Sequence, residues 1–161
     1  MSDQNERDGV PAINNTAWEA TVLVAGEGSG QALVLTEGLS LWGGLNPETG
    51  EITDRRHPAS GEIVTDRVLV MPSGRGSSSA SSILLEAVRA GTGPAAIILA
   101  EKDGILALGA AVAREMYGIA PPVVVLSEMK FAQIRSGQWI SVRTDGRVIL
   151  RHYSNGTKMC L

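Results

Sequence analysis

Three apolar runs, Val68–Met71, Ala95–Leu99 and Val123–Leu126, show no polar alternation. A strand written this way is buried on both faces. Helical spacing fills the gaps between them, over about Ser78–Ala90 and Ile105–Tyr117, and Gly91 and Gly118 supply the stops. The second helix is rich in small residues (Ala107, Gly109, Ala110, Ala111, Ala113), which permits close packing on a sheet. The β-α-β-α-β alternation from Arg67 onward predicts a parallel sheet covered on two sides, an α/β fold.

The flanks read differently. Trp18–Ala25 and Gln31–Thr36 alternate as strands do, and Gly26–Gly30 between them predicts a hairpin loop or a backbone nest. Leu39–Gly44 predicts a short strand ending in two glycines. Leu45–Gly61 is long and broken by Asn46-Pro47, Thr49-Gly50 and His57-Pro58, a length that marks a functional or disordered loop. Ser127–Arg135 predicts a short helix with Ser127 as N-cap. Trp139–Arg143 and Arg147–Arg151, joined by Asp145-Gly146, predict a hairpin. Residues 1–16 predict a disordered tail, and residues 17–161 a single domain.

A hydrophobic content of 43% over 161 residues is enough for one domain with a real core. A net charge of −3 and 4% aromatics argue against a nucleic-acid surface. No run approaches the ~20 apolar residues of a membrane span, and the polar N-terminal stretch has no signal-peptide core. Cys160 is the only cysteine. It cannot form an intrachain disulfide or a thiolate metal cage alone, so the expected compartment is reducing and cytoplasmic.

The chemistry concentrates where the first apolar run ends. Pro72-Ser73-Gly74-Arg75-Gly76-Ser77-Ser78-Ser79 carries the chain from a strand through a glycine turn into a helix. The first amides of a helix lack internal partners and favour negative charge. Arg75 adds a planar fork suited to a carboxylate or phosphate. The turn lacks the lysine and spacing of a P-loop, and it is too short for the three-glycine dinucleotide fingerprint. Two readings stand on the residues alone: serines that cap a helix, or one serine hydroxyl activated among amides beside Arg75. No metal constellation is visible. His57 and His152 lack the carboxylate spacing of a triad, and His57 reads as a solvated turn residue. An anion pocket without a complete catalytic kit suggests a chain that supplies part of an active site.

Leu41-Trp42-Gly43-Gly44, Asn46-Pro47-Glu48-Thr49-Gly50, His57-Pro58 with Gly61, the Pro72–Ser78 turn, and Gly93-Pro94-Ala95-Ala96-Ile97 occur in that order. Together they resemble the small, swivel-type subunit of the aconitase X family, over roughly Val22 to Leu126. The resemblance implies a swivelling β/β/α domain of the aconitase small-subunit type, here with flanking β-hairpins. It implies a hydro-lyase active only with a large subunit, whose cysteines hold an iron–sulfur cluster or iron. No cofactor is then bound by this chain alone. The family's serine base falls on Ser77. Gly74, Arg75, Gly76 and Ser78 fall around the substrate, a small hydroxy acid. Arg75 stands where related subunits often carry lysine. Bacterial members act on cis-3-hydroxy-L-proline and archaeal members on mevalonate 5-phosphate; the arginine form of the turn and the acidic tail favour the former. An alternative of another class is a non-catalytic swivelling carrier, with His57 as the phosphoryl-bearing residue.

Overall fold

The computed structural model describes residues 13–153. Eight strands form one mixed sheet in the order β1-β8-β7-β3-β4-β5-β6-β2. They are β1 (Ile13–Glu19), β2 (Thr21–Val24), β3 (Gly28–Val34), β4 (Val68–Met71), β5 (Ala96–Leu99), β6 (Val123–Val125), β7 (Trp139–Val142) and β8 (Arg147–Tyr153). The helices are α1 (Leu41–Gly44), α2 (Ala80–Ala90), α3 (Gly104–Tyr117) and α4 (Glu128–Phe131). Strands β3, β4, β5 and β6 run parallel. Strand β3 serves two neighbours, pairing with β7 over Gly28–Gln31 and with β4 over Ala32–Val34.

Alternate residues of a strand point to opposite faces. Leu33, Leu69, Met71, Ile97 and Leu99 pack with Leu84 of α2 and Leu106 and Ala110 of α3. Ala32, Val68, Val70 and Ile98 pack instead with Ile140 and Val142 of β7 and Val148 and Leu150 of β8. One face of the central strands is therefore covered by helices and the other by strands, a β/β/α layering. The ends of the strand order, β1 and β2, are joined by Ala20 alone, which requires the sheet to curl back on itself. The β7–β8 turn locks this corner: the Ala20 N–H donates to the Gly146 carbonyl at 3.0 Å.

The central β-α-β-α-β run matches the hydrophobic pattern closely, with Gly91 and Gly118 both left-handed at the helix ends. The predicted hairpin at β7–β8 forms. The one predicted between Trp18–Ala25 and Gln31–Thr36 does not. The chain breaks at Ala20, β2 pairs with β6, and β3 pairs with β7 and β4. Gly28 and Gly30 lie inside β3 because a Cβ there would strike the carbonyl oxygens of Ala95 and Asp66. They permit close backbone approach, not a turn.

Other expectations also shift. Leu39–Gly44 is not a strand: Leu39 makes one bridge, to Gly74, and α1 is a single kinked turn with Gly43 at φ 75°. Strand β1 starts at Ile13, inside the segment expected to be a disordered tail, since Ile13–Thr16 pair with Leu150–Tyr153. The remainder of that tail, and Cys160, lie outside the described residues. α2 begins at Ala80 and α4 spans a single turn, with no side-chain cap from Ser127. The 45–61 loop is ordered by bridges from Leu45 to Ile52 and from Glu51 to Ile63. Among the described residues no helix is long and apolar enough to cross a membrane.

Candidate functional site

Strands β3, β4 and β5 are parallel neighbours, so the loops that follow them emerge along one edge of the sheet. The carboxyl edge of parallel strands is where open α/β sheets place ligands. These loops carry Leu39 and Ser40, Gly74 to Ser79, and Asp103. They are stitched together by the backbone. The Arg75 N–H donates to the Leu39 carbonyl at 3.2 Å, and the Ala100 and Glu101 N–H groups both donate to the Pro72 carbonyl at 3.1 Å.

The glycines of the turn have distinct reasons. Gly76 adopts φ 84°, a conformation that favours glycine, and a Cβ there would lie 2.9 Å from Ser40 Oγ. A Cβ on Gly74 would strike Asp103 Oδ2, the atom that accepts the Gly74 N–H at 3.0 Å. The Gly74 N–H is thus already engaged. Gly74 shapes the turn that leads to Ser77.

The serine cluster divides into two behaviours. Ser81 and Ser82 hydroxyls donate to the carbonyls of Ser78 and Ser79, at 2.9 and 2.7 Å. Ser77 Oγ instead accepts the Ser79 N–H at 3.1 Å. An amide aimed at the oxygen favours its charged form. Arg75, Gly76, Ser77 and Ser78 are all exposed, and Arg75 forms no ion pair among the described residues. Arg75, Gly76 and Ser77, but not Ser78, rim a pocket with Leu39, Ala80 and Asp103 whose volume is about 70 Å³. That is room for about two water molecules, so most of any substrate would stand outside it. A larger pocket, about 190 Å³, opens past the C-terminus of α2. Among the described residues Asp66 is its only ionisable lining residue, so it offers no comparable chemistry.

Asp103 was not singled out by sequence reasoning. The available signal was an aspartate before Gly104 at a helix start, which reads only as a cap. It does cap α3: Oδ1 accepts from the Ile105 and Leu106 N–H groups at 2.9 and 3.1 Å.

His57 is a correction. It is 5% exposed rather than solvated. The Ala59 N–H donates to Nδ1 at 3.0 Å, so Nε2 carries the proton and donates to the Glu37 carbonyl at 3.2 Å. Both ring nitrogens are engaged, which argues against a phosphoryl carrier. The segment it holds backs the site, since a Cβ on Gly38 would lie 3.0 Å from Arg75 Cγ. Among the described residues no group of His, Cys, Asp and Glu is arranged to hold a metal ion. The described residues thus offer no ligand set for the iron–sulfur cluster or iron that the resemblance places on a large subunit.

Residues 17–150 match the family model described as the aconitase X swivel domain. The chain is 47% identical, over 80% of its length, to the cis-3-hydroxy-L-proline dehydratase of Pseudomonas aeruginosa, and covers 22% of that protein. It is 39% identical, over 59% of its length, to the phosphomevalonate dehydratase small subunit of Methanothermobacter thermautotrophicus, covering 72% of that chain. It superposes on the crystal structure of Thermococcus kodakaraensis aconitase X (holo-form) with a TM-score of 0.75 at 28% identity, covering 84% of this chain and 98% of that one. The chain spans about a fifth of the length of the first curated relatives it matches.

Proposed function

The chain belongs to the aconitase X swivel-domain family, and from that premise we propose that it is the swivel part of a hydro-lyase acting on cis-3-hydroxy-L-proline. It would work only against a large subunit that carries the rest of the site and any iron–sulfur cluster or iron. The observation that carries the proposal is Ser77 Oγ, exposed at the head of α2 with an amide N–H aimed at it and Arg75 two residues away.

An ordinary serine is too weak an acid to serve as a base near neutral pH. The Ser79 amide, the start of α2 and the Arg75 guanidinium all favour its alkoxide. Ser77 would take the proton from the carbon beside the carboxylate. The electron pair of that C–H bond then forms a C=C bond as the neighbouring C–O bond breaks. The hydroxyl group leaves with its electron pair and gains one proton to depart as water, which balances the proton taken by Ser77, and the product is a pyrroline carboxylate. Arg75, with the Gly76 backbone and Ser78, would hold the carboxylate while charge develops.

The relatives named phosphomevalonate dehydratase small subunit support a second reading, in which mevalonate 5-phosphate is the substrate. Both readings are tested with the purified complex of this chain and its large subunit. Turnover of cis-3-hydroxy-L-proline is expected, with little on mevalonate 5-phosphate; the reverse preference would select the second reading. Ser77→Ala should lower turnover by at least ~10²-fold while the complex still assembles, the size of a lost acid–base group. Unchanged turnover would remove Ser77 from the role.

A further inference from the structure

Among the described residues Asp103 is the one acidic residue lining the pocket beside Ser77. Its two carboxylate oxygens serve different elements. Oδ1 caps α3 through Ile105 and Leu106, and Oδ2 reaches from the loop after β5 to the Gly74 N–H, at 3.0 Å, in the loop after β4. Capping alone does not call for a carboxylate, because serine or asparagine caps a helix about as well. The second oxygen is the informative one. It fixes the turn at Gly74, while the Leu39 carbonyl fixes the adjacent Arg75 N–H. Gly74 has no Cβ in the space this contact fills. Beyond these two anchors the chain from Gly76 to Ser78 is exposed. Three N–H donors occupy three of the roughly four acceptor sites of the Asp103 carboxylate, which spreads its charge and reduces repulsion of a substrate carboxylate nearby.

We infer that Asp103 is a positioning residue for the dehydration, clamping the Gly74 turn so that Arg75 and Ser77 project at a fixed separation. This rests on the reading of Ser77 as the base. A clamp of this kind acts on the rate of the assembled enzyme. A residue needed only for folding acts on the amount of it.

The test uses the complex with the large subunit, its assembled fraction measured independently, and compares kcat per assembled complex with KM. Asp103→Asn has a single acceptor oxygen, so it can cap α3 or accept from Gly74 but not both. Asp103→Ser keeps the cap and is too short to reach Gly74. Both should assemble and lose about 10²-fold in kcat, the scale of a small misplacement of reacting groups. Amide exchange over Gly74–Ser78 should quicken in both. Added to Ser77→Ala, either substitution should lower kcat by less than about twofold more, because it acts through the same serine. If Ser77→Ala abolishes turnover while Asp103→Ser keeps wild-type kcat, the inference falls and the serine reading survives. If Ser77→Ala leaves turnover unchanged, the serine reading fails first and takes the inference with it. Should neither Asp103 variant fold, the wild-type complex still decides: the Gly74 amide must exchange slowly, and fast exchange overturns the clamp.

Discussion

Replacing Gly76 with alanine perturbs the site and the fold at one atom. At φ 84° an L-residue is strained, and placing alanine in the left-handed region costs about 1–2 kcal/mol. The new methyl carbon would also lie 2.9 Å from Ser40 Oγ. That hydroxyl now donates to the Trp42 carbonyl at 3.1 Å, so moving it aside gives up a hydrogen bond with a net value of about 0.5–1.5 kcal/mol. The sum is about 1.5–3.5 kcal/mol of stability. For a domain of this size that lowers Tm by about 3–14 °C. Circular dichroism melts of wild type, Gly76→Ala and Gly76→Asn would measure it. Asparagine visits the left-handed region more readily, so its melt should fall between the other two. Gly76 precedes Ser77, so kcat of the assembled complex should fall in Gly76→Ala as well. A melt within about 1 °C of wild type, with kcat intact, would refute the assigned backbone role, since a cost of even 1 kcal/mol shifts Tm by more than that.

His57→Ala would leave the Ala59 N–H and the Glu37 carbonyl without their partners, at a cost of about 2 kcal/mol or more, read as a lower denaturant midpoint. Incubating the wild-type chain with a phosphoryl donor should leave the mass of the His57 peptide unchanged, and a phosphate there would restore the carrier reading. At the β7–β8 turn, the Arg147 backbone N–H and then its guanidinium hold the Asp145 carboxyl below its ordinary value of 3.8. The folded value lies below the unfolded one, so the contribution is fully present above the ordinary carboxylate range and is lost as pH falls through the folded value. The stability difference between wild type and Asp145→Asn should therefore shrink on acidification. It should also be small and salt-sensitive, because the pair is exposed. A difference that grows as pH falls would contradict this assignment.

What the sequence made legible follows from how far each interaction reaches along the chain. Strands β4, β5 and β6 are buried on both faces and each carries that fact in its own residues. The helices between them end at glycines a few positions away. Gly28 and Gly30 mislead because turn chemistry and close backbone approach use the same residue, and only the distant carbonyls of Ala95 and Asp66 distinguish them. The Gly74–Ser78 turn was visible because a strand, glycines and a helix start are consecutive. Asp103 was not, because its tie to Gly74 exists only once β4 and β5 lie side by side. His57 looked solvated because its neighbours in sequence are arginines and a proline, whereas its shelter comes partly from Glu37, twenty residues earlier.

The single residue between β1 and β2 has a kinetic consequence. Both strands leave the ribosome before β6 and β8, the neighbours they finally zip to. Until those late segments emerge, two edge-forming stretches stay unpaired, and such long-range closure is slow. Nascent copies are therefore most open to misassociation before synthesis reaches β6, when both strands still lack their partners, and a chaperone that shields the Ile13–Val24 segment would raise the yield most in that interval.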